Sequence, residues 1–329
     1  LCIAMRFTSS THCGEQPSTI NRNLVMITLP PYLKKGDTIA ITCPAGYMEA
    51  QKIKTGVKTL QEWGFQVMVG KTVGSKSTNY FSGTDEERRD EFQALLNEPS
   101  IKAILCGRGG YGVTRIIDQL DFKIFKKNPK WIIGFSDITV LHAYILTKCK
   151  TASLHAPMAN AFNEGGAKLP YVQSLQKALR GTKMQYSCTA HPMNQLGKAT
   201  GVLMGGNLAL IAHLVGSTMM YKTKGAILFI EDVGEYAYNI DRMMIQLKRA
   251  GIFNQLSGLI VGGFTDRKDT TRPFGKTVEE IIQAHIAEYD FPICFGFPVS
   301  HDTENYALKV GANFELSVAS KLSRLKELG

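Results

Sequence analysis

The sequence has no C-x-x-C pair, and its seven cysteines are an odd number in 329 residues. A disulfide framework belongs to short secreted chains with paired cysteines, so this usage points to reduced thiols and a cytoplasmic protein. No apolar run reaches membrane-spanning length, which leaves no helical span and no membrane partner to expect. Internal repeats and low-complexity tracts are also missing. The balance of charge is +10, with a pI near 9.2, yet the basic tracts are short: Lys34-Lys35, Lys123 to Lys130 and Lys321 to Lys326. No nucleic-acid motif accompanies them, so they read as solvated surface and no nucleic-acid partner is expected. A weak pull on an anionic substrate is compatible with that surface.

What is present is ordinary globular material. Apolar residues make up 44% and charged residues 20%, enough to bury real cores in one large or two ordinary domains. Residues 1–25 are polar and irregular, and the apolar piece Leu1 to Met5 is too short for a signal-peptide core. They read as an irregular N-terminal extension. Leu1 is not an initiator, and Met26 is the alternative start, followed by a strand lead-in.

From there, strands alternate with helices. The strands are Thr38–Cys43, Phe65–Val69, Ile101–Cys106 and the run from Trp131; between them lie helical spacings at Ile53–Trp63, Asp85–Leu96 and Val113–Leu120. Such alternation predicts a parallel sheet covered on both faces, with ligands at the carboxyl ends of its strands. Residues 26–163 read as this N-terminal domain. Residues 164–197, rich in proline and glycine with a short helix at Tyr171–Leu179, read as a linker. Residues 198–329 read as a C-terminal domain with strands near Gly201–Leu203, Ala226–Ile230 and Leu259–Val261, helices at Leu208–Val215, Ile240–Arg249 and Val278–Ala287, and a hairpin-like tail at Ala307–Val318.

Four stretches carry candidate chemistry. Trp131 to Leu141 is a strand, a tight turn and a helix with Ser136 in the turn. That is the context of a nucleophile elbow, although Ile138 stands where G-x-S-x-G has its second glycine. The plainer account is an N-cap by Ser136 or Asp137. Gly107 to Gly112 satisfies G-x-G-x-x-G, but on the third strand, and the expected acid some 20 residues on is replaced by Lys126, Lys127 and Asn128. The same turn can offer backbone N–H groups to an oxyanion or a terminal carboxylate. Arg108 can do likewise through its guanidinium, or simply form a surface salt bridge.

Glu231 closes the apolar strand Ile227–Ile230. Asp232 and Glu235 compete with it, and an ion pair with Arg242 is the plainer account. His301 follows another apolar strand. With Glu304 it spells H-x-x-E, but a catalytic zinc needs a third ligand, and neither histidine nor cysteine follows. Serine, acid and histidine in this chain order, each at a strand end, form one of the known orders of a Ser–acid–His hydrolase.

Taken in sequence, these residues resemble the LD-carboxypeptidase family, which includes muramoyltetrapeptide carboxypeptidases and microcin-C immunity peptidases. The resemblance runs from Leu33 to Val318. It rests on Lys35-Gly36-Asp37 with Pro44-Ala45, Cys106 to Gly112, Gly134 to Thr139, Gly205 to Leu208, Ile230 to Glu235 with Ile240-Asp241-Arg242, and Gly296 to His301. It implies an α/β fold: a flavodoxin-like parallel-sheet N-terminal domain with a smaller mixed α/β C-terminal domain, and the active site between them. It also implies Ser136 as nucleophile, Glu231 as acid, His301 as base, and the N–H groups of Gly110 and Asp137 as oxyanion hole. The implied reaction releases D-alanine from cytoplasmic murein tetrapeptides, without metal or cofactor, in a homodimer. Ala45 and Val299-Ser300 depart from the commoner family pattern. Two rival readings remain: a microcin-type peptidase cleaving an aminoacyl-nucleotide amide, and a non-catalytic dinucleotide-binding module.

Overall fold

The first half of the chain spends its apolar runs on five short parallel strands: β1 (Thr38–Thr42), β2 (Gln66–Val69), β3 (Ile101–Cys106), β4 (Trp131–Gly134) and β5 (Ser153–His155). The structure, a computed structural model, describes residues 26–163, 165–302 and 304–328, so the expectations for residues 1–25 lie outside it. The remaining strands are β6 (Gln185–Thr189), β7 (Gly197–Asn207), β8 (Ile227–Val233), β9 (Gly258–Thr265), β10 (Ile293–Phe295), β11 (Leu308–Val310), β12 (Asn313–Val318) and β13 (Leu322–Glu327).

One sheet runs β11-β5-β4-β3-β1-β2, parallel except for β11. Apart from β11 this is the flavodoxin-like order, whose ligand crevice lies beyond the strand carboxyl ends where the order reverses, between β1 and β3. Every residue of β4 is buried and β3 exposes only Lys102, as expected for strands covered on both faces. The helix Asp85–Asn97 starts on a capping box. The Thr84 hydroxyl accepts from the Glu87 N–H, and Glu87 returns the bond to the Thr84 N–H.

The other sheet runs β10-β9-β8-β7-β12-β13-β6. Its centre is β7, which changes partner along its length. Gly197–Val202 pair antiparallel with β12, and Leu203–Asn207 pair parallel with β8. The burial of β7 changes at the same place, from alternating to continuous. The α/β class and both sheets are therefore those expected.

Two details differ. The 164–197 stretch holds the expected short helix, at Pro170–Leu179, but also the strand β6, which was not expected and joins the second sheet. Gln185–Thr189 has no continuous apolar run, which hides a strand that sits at a sheet edge. The tail Ala307–Val318 is not a hairpin either. β11 completes the first sheet against β5, whereas β12 turns back on β13 in the second.

Lys309 of β11 bridges the two sheets. Its fully buried Nζ lies 2.9 Å from both carboxylate oxygens of Glu327 on β13, with Thr182 O and the Tyr32 hydroxyl as further partners. A buried charge pair survives desolvation only when satisfied this fully.

Candidate active site

The turn after β4 is bent in an uncommon way. Phe135 is extended (φ −149°, ψ −171°), and Ser136 then takes φ 64°, before a 3₁₀ turn leads into the helix Thr139–Tyr144. A non-glycine residue held there costs roughly 1–3 kcal/mol and persists only where its surroundings over-determine it. Three contacts do so. Ile138 fills the space beneath Gly134, where any Cβ would come within 2.8 Å of it; this is why an isoleucine can stand in place of the second elbow glycine. His142, one turn on, bonds Gly134 O at 2.9 Å and Ser153 Oγ at 2.8 Å. Asp137 turns away, and its Oδ2 accepts from the Val113 N–H at 2.8 Å. The N-cap account fails, because no side chain caps this helix.

The Val113 contact ties the serine turn to Gly107–Gly112. Gly109 lies directly on the serine: a Cβ there would sit 2.9 Å from Ser136 Cβ, 3.1 Å from its Oγ and 3.3 Å from the Asp137 nitrogen. Gly109 O accepts from the Gly46 N–H at 3.0 Å. In a trans peptide the following N–H, that of Gly110, therefore points away from Gly46. The Asp137 N–H belongs to the first turn of a helix, where backbone donors have no intrahelical acceptor. Burial lifts the Asp137 carboxyl to about 6, against the pull of its Val113 and Gly112 N–H bonds and of Arg88.

Glu231 and His301 come together from the other sheet and its following loop. Their Oε2 and Nδ1 atoms are 2.5 Å apart, and Glu231 is fully buried. Asp232 and Glu235, which the sequence does not separate from Glu231, go elsewhere. β8 shifts register between Ile230 and Asp232. Asp232 then faces Asn207 Nδ2 at 2.7 Å and the Ala209 N–H at 2.9 Å. Burial first, and then the charge of Glu231, push its carboxyl up to about 7. Glu235 accepts from Asn239 at 2.9 Å, and Arg242 pairs with Asn239 rather than Glu231.

His301 Nε2 is buried and has no hydrogen-bond partner among the described residues. The Phe135 ring, next to Ser136 in the chain, lies edge-on to the imidazole at 4.8 Å. Burial works against the imidazolium, but the Glu231 hydrogen bond and charge, with Asp232 behind them, outweigh it and hold His301 above its ordinary value.

A cavity of about 450 Å³ opens beside this histidine, lined among others by Tyr47, Lys52, Arg108, Phe135, Tyr171, His301 and Asn305. Arg108 donates to Tyr47 O at 2.9 Å and makes no salt bridge among the described residues. Among those residues no group of three or more His, Cys, Asp and Glu side chains could hold a metal, so H-x-x-E gains no third ligand. No helix of the described residues is long and apolar enough to cross a membrane.

Residues 39–156 match the LD-carboxypeptidase N-terminal domain, and residues 200–316 match the LD-carboxypeptidase C-terminal domain. The chain belongs to the LD-carboxypeptidase family. A Bacillus subtilis (strain 168) protein named "probable murein peptide carboxypeptidase" is 33% identical over 295 residues, covering 89% of this chain and 92% of that one. The muramoyltetrapeptide carboxypeptidase structure from Oxalobacter formigenes superposes with a TM-score of 0.81 at 26% identity, over 89% of this chain and 99% of that one. The microcin C7 self-immunity protein MccF of Escherichia coli is 29% identical over 328 residues, 88% of this chain and 93% of its own. The structure of MccF with aspartyl sulfamoyl adenosine gives a TM-score of 0.78 at 27% identity, covering 92% and 99% of the two chains. Membership makes the chain an enzyme of the carboxypeptidase class and sets aside the non-catalytic dinucleotide module.

Sequence reasoning passed over Asn305 and gave no role to Asn207, which it quoted only within Gly205 to Leu208; both are buried polar side chains, as is Asp232, which it weighed against Glu231. Asn207 had a signal, since an asparagine after two glycines and before an apolar run marks a helix N-cap; it accepts from the Leu210 N–H at 3.2 Å.

Proposed function

We propose that this LD-carboxypeptidase releases the terminal D-alanine from murein tetrapeptides in the cytoplasm, with Ser136 as nucleophile, His301 as general base and Glu231 as the acid that orients it. The observation that carries this reading is the 2.5 Å Glu231–His301 pair, whose imidazole meets the ring of Phe135 at 4.8 Å, the residue before a serine held at φ 64°. Glu231 fixes the proton on Nδ1, which leaves Nε2 as the acceptor. Ser136 Oγ attacks the amide carbonyl and its proton passes to Nε2. The oxyanion is received by the N–H groups of Gly110 and Asp137. Collapse of the tetrahedral intermediate sends the proton from His301 to the leaving amine, and water repeats the sequence on the acyl-enzyme. Arg108 receives the substrate's terminal carboxylate. Neither metal nor cofactor takes part, and the working form is a homodimer.

A pH profile follows from the raised His301. A general base must be neutral, so activity is lost as pH falls through its folded-state pKa. The acid limb of kcat/KM should therefore lie above 6.5, the ordinary histidine value. Glu231→Gln removes the charge that holds it there; the limb should move to lower pH while the plateau rate drops. A limb that stays in place would separate Glu231 from the base.

The test of the reading itself sets two substrates side by side. The purified protein should release alanine from murein tetrapeptide, read by mass, and leave an aspartyl sulfamoyl nucleoside intact. Cleavage of the sulfamoyl compound alone would favour the microcin-type reading.

A further inference from the structure

One charge packed against the Gly107–Gly112 turn is fully buried and has no part in the proton transfer described above. It is Arg88, near the start of the helix Asp85–Asn97. Its guanidinium pairs with Asp85 at the head of that helix and lies over the Phe81 ring at 4.9 Å. A single nitrogen, Nη1, donates to Pro44 O at 2.6 Å and to Gly112 O at 3.1 Å. Those carbonyls belong to two loops, one after β1 and one after β3. At Gly112 the backbone rests on the guanidinium so closely that a Cβ would come within 2.7 Å of Nη1.

A buried guanidinium paired with one carboxylate is a poor way to stabilise a fold. Its desolvation cancels much of the attraction, and apolar side chains of similar volume often do as well. What it supplies is geometry, because a guanidinium is planar and its donors are fixed in a fork. Asp85 holds that fork in place and is itself shared with Arg115, whose Nε lies 2.8 Å from Oδ2. The turn is pinned at two further points. Gly109 O accepts from the Gly46 N–H at 3.0 Å, and the Val113 N–H donates to Asp137 Oδ2 at 2.8 Å. Gly110, at φ 91°, lies in the chain between the first of these and the Gly112 carbonyl that Arg88 holds. Arg88 grips the Pro44 loop as well, so it fixes the turn relative to the loop that carries Gly46.

We propose that Arg88 is a positioning residue for the oxyanion hole: by holding Pro44 O and Gly112 O on one nitrogen, it sets the spacing of the two loops and so the aim of the Gly110 N–H at the reacting carbonyl. This rests on the oxyanion hole of the reading above. The carbonyl oxygen gains its charge only in the transition state, so a misaimed donor slows turnover and leaves substrate binding in place.

The test compares Arg88→Met, apolar and without a donor, with Arg88→Lys, which keeps the charge but not the fork. In Arg88→Met, kcat and kcat/KM for the murein tetrapeptide should fall together by about 100-fold, as for a displacement of about 1 Å, with KM unchanged. Arg88→Lys should fall between this and the wild-type protein. A small fluorophosphonate gives a second readout, because its reaction with Ser136 uses the serine and the oxyanion donors but no peptide. Its labelling rate should fall with kcat. A melting temperature that falls in Arg88→Met while kcat and the labelling rate hold would make the guanidinium structural and overturn the proposal. A rise in KM alone would also overturn it. Should Arg88→Met fail to fold, an unchanged kcat in Arg88→Lys does the same. Where the wild-type protein is labelled at Ser136 but leaves the tetrapeptide intact, the substrate reading fails alone and the labelling rates decide the proposal. Where Ser136 is not labelled and the tetrapeptide stays intact, both fall.

Discussion

Ser136→Ala will lower kcat/KM on the tetrapeptide by about 10⁴-fold or more, and His301→Ala will do the same. The double variant will cost little beyond either single one, because the two groups are proposed to act in one proton transfer and removing one would idle the other. Ser136→Gly separates chemistry from architecture. Ser136 sits at φ 64°, where glycine is unstrained and every other residue is not. That variant should lose activity as fully as the alanine variant while its melting temperature rises. Serine is thus kept at a local cost in stability, as expected of a residue held for its hydroxyl. Near-normal turnover by Ser136→Ala would end the nucleophile assignment.

Gly109→Ala is the second change with a large effect, expected at about 10²-fold or more in kcat. Its methyl would enter the space between Ser136 Cβ at 2.9 Å and the Asp137 nitrogen at 3.3 Å. Neither neighbour is the loose end of a flexible side chain, so the Gly107–Gly112 turn or the serine elbow must shift. A shift there would misaim the Gly110 and Asp137 N–H groups proposed as the oxyanion hole, and loss of one oxyanion donor alone is worth about 10²–10³-fold. Thermal melting shows whether the fold survives, and steady-state rates show the loss. Full activity would mean that the glycine turn does not border the reacting carbonyl.

The fold was readable because its strands are short, apolar and punctuated by glycine and proline. Ile101–Cys106 has the same bounds in the sequence reading and in the structure, and the helix from Asp85 differs by a single residue at its end. β6 was not readable, because an edge strand needs no continuous apolar run and Gln185–Thr189 has none. The tail misled for a different reason: β11 and β12 have suitable strand patterns, but which sheet each joins depends on partners more than a hundred residues away.

The site divides in the same way. Ser136 stood out by its turn, and His301 and Glu231 by their strand ends. Choosing Glu231 over Asp232 from residues alone was out of reach, since the register shift in β8 decides which acid faces the histidine. Asn305 left no local pattern at all; only its burial on the cavity wall marks it.

The central claim is that the site cleaves before a free, D-configured terminal residue. Steady-state rates on three murein tetrapeptides test it: one ending in D-alanine, one in L-alanine and one in D-alanine amide. Inverting the alanine drives its methyl into the pocket wall and displaces the amide from Ser136, and a displacement of about 1 Å can cost roughly 100-fold. Amidation removes the carboxylate that Arg108 is proposed to hold. The account predicts rapid release from the first peptide, a loss of about 100-fold on the second, and no detectable release from the third. Equal rates on the D and L epimers would contradict it.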